Sequence, residues 1–227
     1  MCIRDRYRSG SLASKPILSS EALSLIDSIS PDDELRKILE HRTQELIEYQ
    51  NLSYAKEYMS FVGNIFEKEQ KTRSSSELSQ NVAKYLFKLM ATKDEYEVAR
   101  LSLKAELDSA INKEFGKSAK ISYMLHPPFL KAMENIPILN MLPGVKSKLA
   151  LGSWFKVFYV MLKNMKFLRG TPFDFMAWFS NDVRKADRKA LNHYKSILSN
   201  NIDEIGNGKY QDLKEFSILP DIIRGYE

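Results

Sequence analysis

Three carboxylates in one short stretch are the first residues whose spacing could support chemistry. Asp94, Glu95 and Glu97 fall within four positions, and Arg100 follows Glu97 by three residues. Carboxylates this close can share a proton and act as general acid and base. On a helix, however, these side chains fan out around the axis and do not converge on one substrate atom. We therefore expect a solvated helix face, on which Glu97 and Arg100 form a surface ion pair worth about 0.2–0.5 kcal/mol.

Histidine and cysteine, the common metal ligands and nucleophiles, are scarce. His41, His126 and His193 are far apart in the sequence, and none has a second histidine at helical spacing. We expect each of them to be a surface or packing residue. The single cysteine is Cys2, and the sequence contains no Walker loop and no GxGxxG, CxxC or HExxH motif. The sequence therefore predicts no catalytic residue and no metal site within this chain.

Basic residues recur at helical spacing in a later segment. Lys163, Lys166 and Arg169 stand at positions i, i+3 and i+6, which places them along one side of a helix near its C-terminal end. Cations are favoured there by the helix dipole. The same residues are candidates for contact with an anion, such as a phosphate of coenzyme A or of a nucleotide, or with an acidic protein. The sequence leaves both roles open.

The composition limits the class of protein. The 227 residues are 44% hydrophobic and 28% charged, which is enough to bury a sizeable core. Acidic and basic residues are interleaved and the net charge is +5, so we do not expect a nucleic-acid-binding face. No apolar run reaches the roughly 18 residues of a membrane span, and we find no secretory signal. We expect a cytoplasmic protein that binds neither nucleic acid nor membrane.

The first six residues resemble a translated sequencing adapter. The letters "MCIRDR" (residues 1–6) match the Met-Cys-Ile-Arg-Asp that such an adapter encodes, so we expect a cloning scar on an N-terminally truncated fragment. Residues 7–30 are the predicted linker, because they begin with a Ser-, Gly- and Pro-rich stretch. Within them, Ser20 is a candidate N-cap of a short helix over residues 21–29. Residues 31–227 are the predicted α-rich C-terminal domain. Beyond the scar there is no cysteine for a disulfide or an iron–sulfur cluster.

Periodic apolar residues predict a mainly α fold, in which several helices pack as a bundle or at right angles. The pattern over residues 31–71 predicts one very long helix or two that pack back on each other, with Gly63 as a weak point. Ser30 is the predicted N-cap, because Pro31 and three acidic residues follow it. Ser76 is the predicted N-cap of a helix that runs to about residue 103.

The second half of the chain alternates helices with breaks. A helix is predicted to stop at Gly116, and a β-prone run before residue 126 allows at most a small hairpin around residues 118–150. The segment "SWFKVFYVMLKNMKFL" is apolar on most of its circumference, which predicts a buried helix. Asn181 is the predicted N-cap of a long helix, and a short last helix precedes Pro220.

Five segments in fixed order resemble one family, the indolepyruvate ferredoxin oxidoreductases, in their C-terminal region. The segments are "RTQELIEYQNLSYAKEY" (42–58), "NVAKYLFKLMATKDEYEVARL" (81–101), "YMLHPPFL" (123–130), "LGSWFKVFYVMLKNMKFLRGTPFD" (151–174) and "LPDIIRGYE" (219–227). The residues that carry the signature, which we expect to be structural, are Asp94, Glu95, Tyr96, Glu97, Arg100, Pro127, Pro128, Arg169, Gly170, Arg224 and Gly225.

The resemblance implies the chemistry of a whole enzyme. Members of the family oxidatively decarboxylate 2-oxoacids to acyl-coenzyme A and pass the electrons to ferredoxin. The resemblance implies a homo-oligomeric parent that uses thiamine diphosphate, magnesium, iron–sulfur clusters and coenzyme A. Cofactors carry the difficult steps in such enzymes, and this chain lacks the cysteines for clusters. We therefore expect a non-catalytic C-terminal domain, without a cofactor of its own, that contacts upstream domains of the same polypeptide.

Departures from the family pattern leave alternatives. His126 stands where the family has a small apolar residue, so it is not expected to be a required ligand, and the sequence stops at "IRGYE", as a fragment would. The main alternative is a free-standing α-helical module that binds an acidic partner or an anion through the basic stripe. Another is a helix at residues 154–168 that lies on a membrane surface. We expect that alternative to fail, because an apolar circumference suits a core better.

Overall fold

The structure is a computed structural model that describes residues 18–116, 122–125 and 149–222. The described residues confirm the predicted mainly α fold. The α-helices are α1 (Ser20–Asp27), α2 (Asp33–Tyr49), α3 (Leu52–Thr72), α4 (Glu77–Met90), α5 (Glu95–Ser102), α6 (Ala105–Phe115), α7 (Lys156–Asn164), α8 (Phe175–Asn201) and α9 (Tyr210–Ile218). Short 3-10 helices span Ser153–Phe155, Met165–Leu168, Ile202–Asn207 and Leu219–Asp221.

Two short strands form the small hairpin that the sequence allowed. Strand β1 (Tyr123–Leu125) pairs with β2 (Leu149–Leu151) in antiparallel register, with Tyr123 opposite Leu151 and Leu125 opposite Leu149. Of the described chain, these strands alone make up the sheet. The rest of the architecture is helical.

The chain divides into two compact units. The described part of the first unit is residues 18–92 and 186–222, and that of the second lies within residues 93–185. The first residues of helix α8 therefore belong to the second unit, and the rest of the helix belongs to the first unit. Each unit has a hydrophobic core of its own.

The packed part of the first unit begins inside the segment predicted as a linker. Helix α1 lies within residues 7–30, and Ser19, not Ser20, caps it by accepting a hydrogen bond from the Ala22 N–H at 3.2 Å. Ala22 and Ile26 are fully buried. Residues 20–27 therefore belong to the fold and not to a linker.

The long apolar pattern is a pair of helices. Helix α2 ends at Tyr49, and Asn51 caps α3 by accepting from the Tyr54 N–H at 2.9 Å. Gly63 does not interrupt the pattern, because it lies inside α3. A Cβ at this position would lie 2.7 Å from Cγ2 of Ile29, so glycine lets the turn after α1 approach the helix.

Two other predicted N-caps are wrong. Asp32, and not Ser30, caps α2, with a carboxylate oxygen 2.9 Å from the Leu35 N–H. Ser30 has a φ of 46°, so its backbone turns through the left-handed region before the helix starts. Asn181 lies inside α8, because Asp174 accepts from the Ala177 N–H at 3.2 Å and the helix begins at Phe175.

A buried carboxylate from another helix caps α4. Ser76 stands at the N-cap position, but its side chain makes no capping hydrogen bond. Glu69 of α3 is fully buried and accepts from the Leu78 N–H at 2.9 Å and the Ser79 N–H at 2.8 Å. It also accepts from the hydroxyls of Ser79 and Tyr210. A negative charge is favoured at this positive end of the helix dipole.

The core of the first unit is built from α2, α3 and α4 together with residues from the end of the chain. Its contributions from beyond residue 185 are Tyr194, Leu198, Ile202, Ile205, Tyr210 and Leu213. Each fully buried leucine or isoleucine contributes about 1.5–3 kcal/mol relative to an exposed one. The C-terminal segment is therefore part of this core.

The second unit holds a smaller core in which α5 packs on α7. The helix predicted over residues 77–103 is interrupted between Met90 and Glu95, so α5 is a separate element. The core residues are Tyr96, Ala99, Phe155, Tyr159 and Leu162. The prediction that the α7 segment is a buried helix is wrong for its outer side, because Val157 is 77% exposed.

Candidate functional site

The acidic stretch of the second unit starts at a helix N-cap. Asp94 precedes α5 in an extended conformation and accepts a hydrogen bond from the Glu97 N–H at 2.9 Å. Glu95 and Glu97 follow in the first helical turn, where the helix dipole favours acidic residues. The close spacing of the three carboxylates therefore has a local structural cause.

Arg169 binds the same carboxylate from a distant part of the chain. Its Nε and Nη2 lie 2.5 and 2.8 Å from the two oxygens of Asp94, in a bidentate pair. Both side chains are largely buried, with exposures of 12% and 7%. Gly170 follows with a φ of 77°, a conformation that suits glycine at the turn that leads toward α8.

Asp174 is the most enclosed carboxylate of the group. One oxygen accepts from the Tyr96 hydroxyl at 2.9 Å and from the Ala177 N–H at 3.2 Å. The other accepts from the Gly170 N–H at 3.1 Å and from Nη1 of Arg184 at 2.8 Å. Asp174 therefore caps α8 and ties the preceding turn to α5.

Arg184 joins two of the carboxylates. Its Nη1 binds Asp174, and its Nη2 lies 2.6 Å from Oε2 of Glu95. Burial raises the pKa of Glu95 from its ordinary value, against the opposing effect of the Arg184 charge. The guanidinium is itself only 14% exposed. Asp94, Glu95, Asp174, Arg169 and Arg184 thus form one cluster, which we call the arginine–carboxylate network.

Tyr96 lies beneath the arginine–carboxylate network. The centroid of its ring is 5.5 Å from the guanidinium carbon of Arg169 and 5.9 Å from that of Arg184. Burial raises the pKa of the Tyr96 hydroxyl, and its hydrogen bond to Asp174 acts in the same direction. Tyr96 is therefore a neutral donor that stacks beneath two cations.

The predicted surface pair of Glu97 and Arg100 forms, but it is buried. Nε and Nη2 of Arg100 lie 2.8 and 2.9 Å from the two carboxylate oxygens of Glu97. The side chains are 6% and 9% exposed, for Arg100 and Glu97 respectively. The prediction of a solvated acidic face is wrong, because α5 is covered on the sides that carry these residues.

The predicted basic stripe is not one continuous helical face. Lys163 is exposed near the end of α7, and Lys166 is half-buried in the 3-10 helix that follows. Arg169 comes after both helices and is bound to Asp94. The three cations therefore do not present a common surface to an anion.

Several predicted residues lie outside the described part of the chain. They are Cys2, His126, Pro127, Pro128, Arg224 and Gly225. Of the other histidines, His193 is exposed on α8 and His41 is half-buried on α2. Within the described ranges, no three His, Cys, Asp or Glu side chains are placed to hold a metal ion. In those same ranges, no helix is long and apolar enough to cross a membrane.

Sequence reasoning missed two members of the network. Asp174 ends the quoted "LRGTPFD" segment, and its N-cap spacing ahead of an apolar helical run was a usable signal. No local pattern marks Arg184 as a member of the network, because its partners Glu95 and Asp174 are 89 and 10 residues away and so do not stand at helical spacing from it. The structure thus brings together the "DEYEVAR" and "LRGT" segments.

Comparison with protein families finds a match along most of the chain. A model of a family of unknown function, DUF6537, matches residues 35–227. No curated protein matches the chain, and no solved structure matches it. From the first turn of α2 onward, the match covers the described helices through α9 and the whole arginine–carboxylate network.

Proposed function

Because the chain belongs to DUF6537, a family of unknown function, we propose its role from its own residues and from the resemblance described above. The domain is a non-catalytic structural and interaction domain of a cytoplasmic, thiamine-diphosphate-dependent 2-oxoacid:ferredoxin oxidoreductase of the indolepyruvate type. It contacts upstream domains of the same polypeptide in a homo-oligomeric parent.

The arginine–carboxylate network is the observation that supports the non-catalytic, structural part of this proposal. Asp94, Glu95 and Asp174 are each bound by an arginine, and Asp94 and Asp174 also accept from backbone N–H groups. A general base needs an oxygen within reach of a substrate proton. These carboxylates instead join the start of α5 to the start of α8, which supports a structural role for the signature residues.

In the proposed parent, the chemistry belongs to cofactors held elsewhere. Thiamine diphosphate with magnesium, iron–sulfur clusters and coenzyme A would act in upstream domains, and ferredoxin would take the electrons. The present chain contributes residues that brace those domains. This assignment of cofactors and acceptor rests on the sequence resemblance alone.

Genomic sequence ahead of residue 7 tests the proposal directly. We expect the same reading frame to encode a cysteine-rich cluster region and a thiamine-diphosphate-binding region. A stop codon, or an unrelated gene in that frame, would contradict the proposal.

A second test uses the purified chain. Supplied with a 2-oxoacid, coenzyme A, thiamine diphosphate, magnesium and an artificial electron acceptor, the chain alone is expected to show no turnover. Acceptor reduction above a no-protein control would contradict a non-catalytic role.

A further inference from the structure

Helix α1 packs on the first unit as a short arm. It has eight residues and lies against α2 and α3. The apolar residues of its inner face recur at i, i+3, i+4 and i+7, and they are Ala22, Leu25, Ile26 and Ile29. An isolated helix of this length is marginal in water, so α1 depends on the surface that receives it. We call that surface of α2 and α3, which includes Gln44 and Gly63, the arm groove.

Specific contacts fix both ends of α1 in the arm groove. At the start of the helix, the Ser19 N–H donates a hydrogen bond to Oε1 of Gln44 at 3.0 Å. After its last turn, Gly63 leaves room for Ile29, whose Cγ2 would lie 2.7 Å from a Cβ at the glycine. These contacts form equally well when α1 and the arm groove belong to different copies of the chain, because both copies carry the same residues.

The backbone that connects α1 to α2 is strained. Ser30 has a φ of 46°, and among the residues that the structure describes it is the only one besides glycines with a positive φ. Pro31 follows it, and a residue before proline prefers the β or polyproline region. The docked arm therefore holds Ser30 in a conformation that its own Cβ and the next residue both disfavour. If α1 swings away, Ser30 can adopt the extended backbone that its place before proline favours.

Few polar contacts oppose the opening of this connection. The Ser30 N–H donates to the carbonyl of Asp27 at 3.2 Å, and the Asp27 carboxylate pairs with Arg36 at 2.6 Å. The Asp27 and Arg36 side chains are 60% and 35% exposed, and exposed pairs add little stability. Burial of the apolar face is therefore the main force that holds α1, and the arm groove of a second copy supplies the same burial.

We propose that α1 is an exchangeable arm, which leaves its own arm groove and occupies the same groove of a second copy of the chain. The exchange keeps the apolar burial and the end contacts of α1, and it relieves the backbone at Ser30. Short connections under strain favour such domain swapping. The result is a two-fold dimer in which both arm grooves are filled. This role goes beyond the proposed function and does not depend on the class of the parent enzyme.

A disulfide staple tests the exchange on the whole chain. A Cβ at position 63 would lie 3.6 Å from the Cβ of Ile29, within the range of about 3.5–4.5 Å that disulfides span. Ile29→Cys with Gly63→Cys, in a Cys2→Ser background, should therefore lock α1 in its own groove when the chain is oxidised while dilute. In analytical ultracentrifugation we expect the Cys2→Ser chain to dimerise as its concentration rises. The oxidised staple should stay monomeric, and dithiothreitol should restore the dimer.

Glycine variants of the connection test the part played by strain. Ser30→Gly should raise the Kd of the dimer by about fivefold or more, because glycine accepts a positive φ and the docked arm is then no longer strained. Ser28→Gly is the matched control, since Ser28 is also exposed but has a φ of −62°. That change should not raise the Kd. Both serines are exposed, so these variants are expected to fold, which circular dichroism checks.

Three results would overturn the inference. The first is a Cys2→Ser chain that stays monomeric at every concentration. The second is a dimer that survives in the oxidised staple, because the contact between copies would then lie on another surface. The third is an equal rise in Kd for Ser30→Gly and Ser28→Gly. An upstream reading frame of another enzyme class would refute the proposed function and leave these results unaffected.

Discussion

Glu69 caps helix α4 in place of the serine that the local sequence predicts as the cap. The serine-rich stretch before α4 predicts a serine cap, yet the Leu78 and Ser79 N–H groups donate to a carboxylate on α3. Ser76 supplies the N-cap position without the hydrogen bond. A capping residue drawn from a neighbouring helix leaves no local pattern, which explains why this contact could not be predicted.

Replacing Glu69 with glutamine should be strongly destabilising. The amide keeps one acceptor oxygen and points an NH2 group at donors, so at least one buried N–H or O–H loses its partner. We expect the free energy of unfolding to fall by about 2–3 kcal/mol, measured by urea denaturation. Glu67→Gln is the control, because Glu67 is 65% exposed and pairs with Lys71. Equal effects of the two changes would contradict the cap.

Glu95 gives the network a pH dependence of a particular sign. Burial raises its pKa above the ordinary 4.5, so the folded chain takes up this proton at a higher pH than the unfolded chain. The folded state is therefore favoured as the pH falls through the raised pKa. Compared with the Glu95→Gln variant, the original chain should therefore become more stable as the pH falls from 7 to about 4.5. Thermal unfolding at each pH measures this difference.

Glu67 supplies the opposite sign as a control for that experiment. Its hydrogen bond with Lys71 lowers the pKa of the carboxyl, so its contribution is present above the ordinary pKa and is lost as the pH falls. Relative to Glu67→Gln, the original chain should lose stability on acidification. If both glutamates changed the stability in the same direction as the pH falls, the raised pKa inferred for Glu95 would be refuted.

At the scale of elements, periodicity predicted most helices but not what surrounds them. The positions of α6 and α9 follow from local patterns that stop at Gly116 and before Pro220. The burial of α5 does not, because Arg169 and Arg184 arrive from 75 and 89 residues further along the chain. The pairing of Glu97 with Arg100 is therefore predictable from their spacing, whereas their burial is not.

The approach of the α1 turn to α3 makes a prediction at Gly63. Alanine normally stabilises a helix by about 1 kcal/mol relative to glycine, but here its Cβ would lie 2.7 Å from Cγ2 of Ile29. We expect Gly63→Ala to destabilise the chain by about 1 kcal/mol. In the background of Ile29→Ala the same change should become stabilising, as a double-mutant cycle by chemical denaturation would show.

Gly206 provides the control for that cycle. A Cβ there would lie 3.6 Å from Thr72, which is ordinary van der Waals contact. Gly206→Ala should therefore show no coupling to Ile29→Ala. A destabilising effect of Gly63→Ala that survives removal of the Ile29 side chain would contradict the close approach.

At the scale of the whole molecule, the first unit is made from two separated stretches of sequence. Residues 18–92 supply four of its helices, and residues 186–222 supply Tyr194, Leu198 and other core side chains. A chain that stops at residue 185 should therefore lose hydrogen-exchange protection in α2, α3 and α4. Adding residues 186–222 as a separate peptide should restore part of it. Full protection without that peptide would show that the first stretch folds alone.

The same division has a consequence for how the protein is made. While the ribosome adds residues 93–222, on the order of ten seconds at ordinary elongation rates, helices α1 to α4 have been synthesised but lack the C-terminal side chains that complete their core. Helix α4 packs against α9, which has not yet been synthesised at that point. The nascent chain therefore offers a long opportunity for chaperone binding, and slow codons late in the gene would extend it.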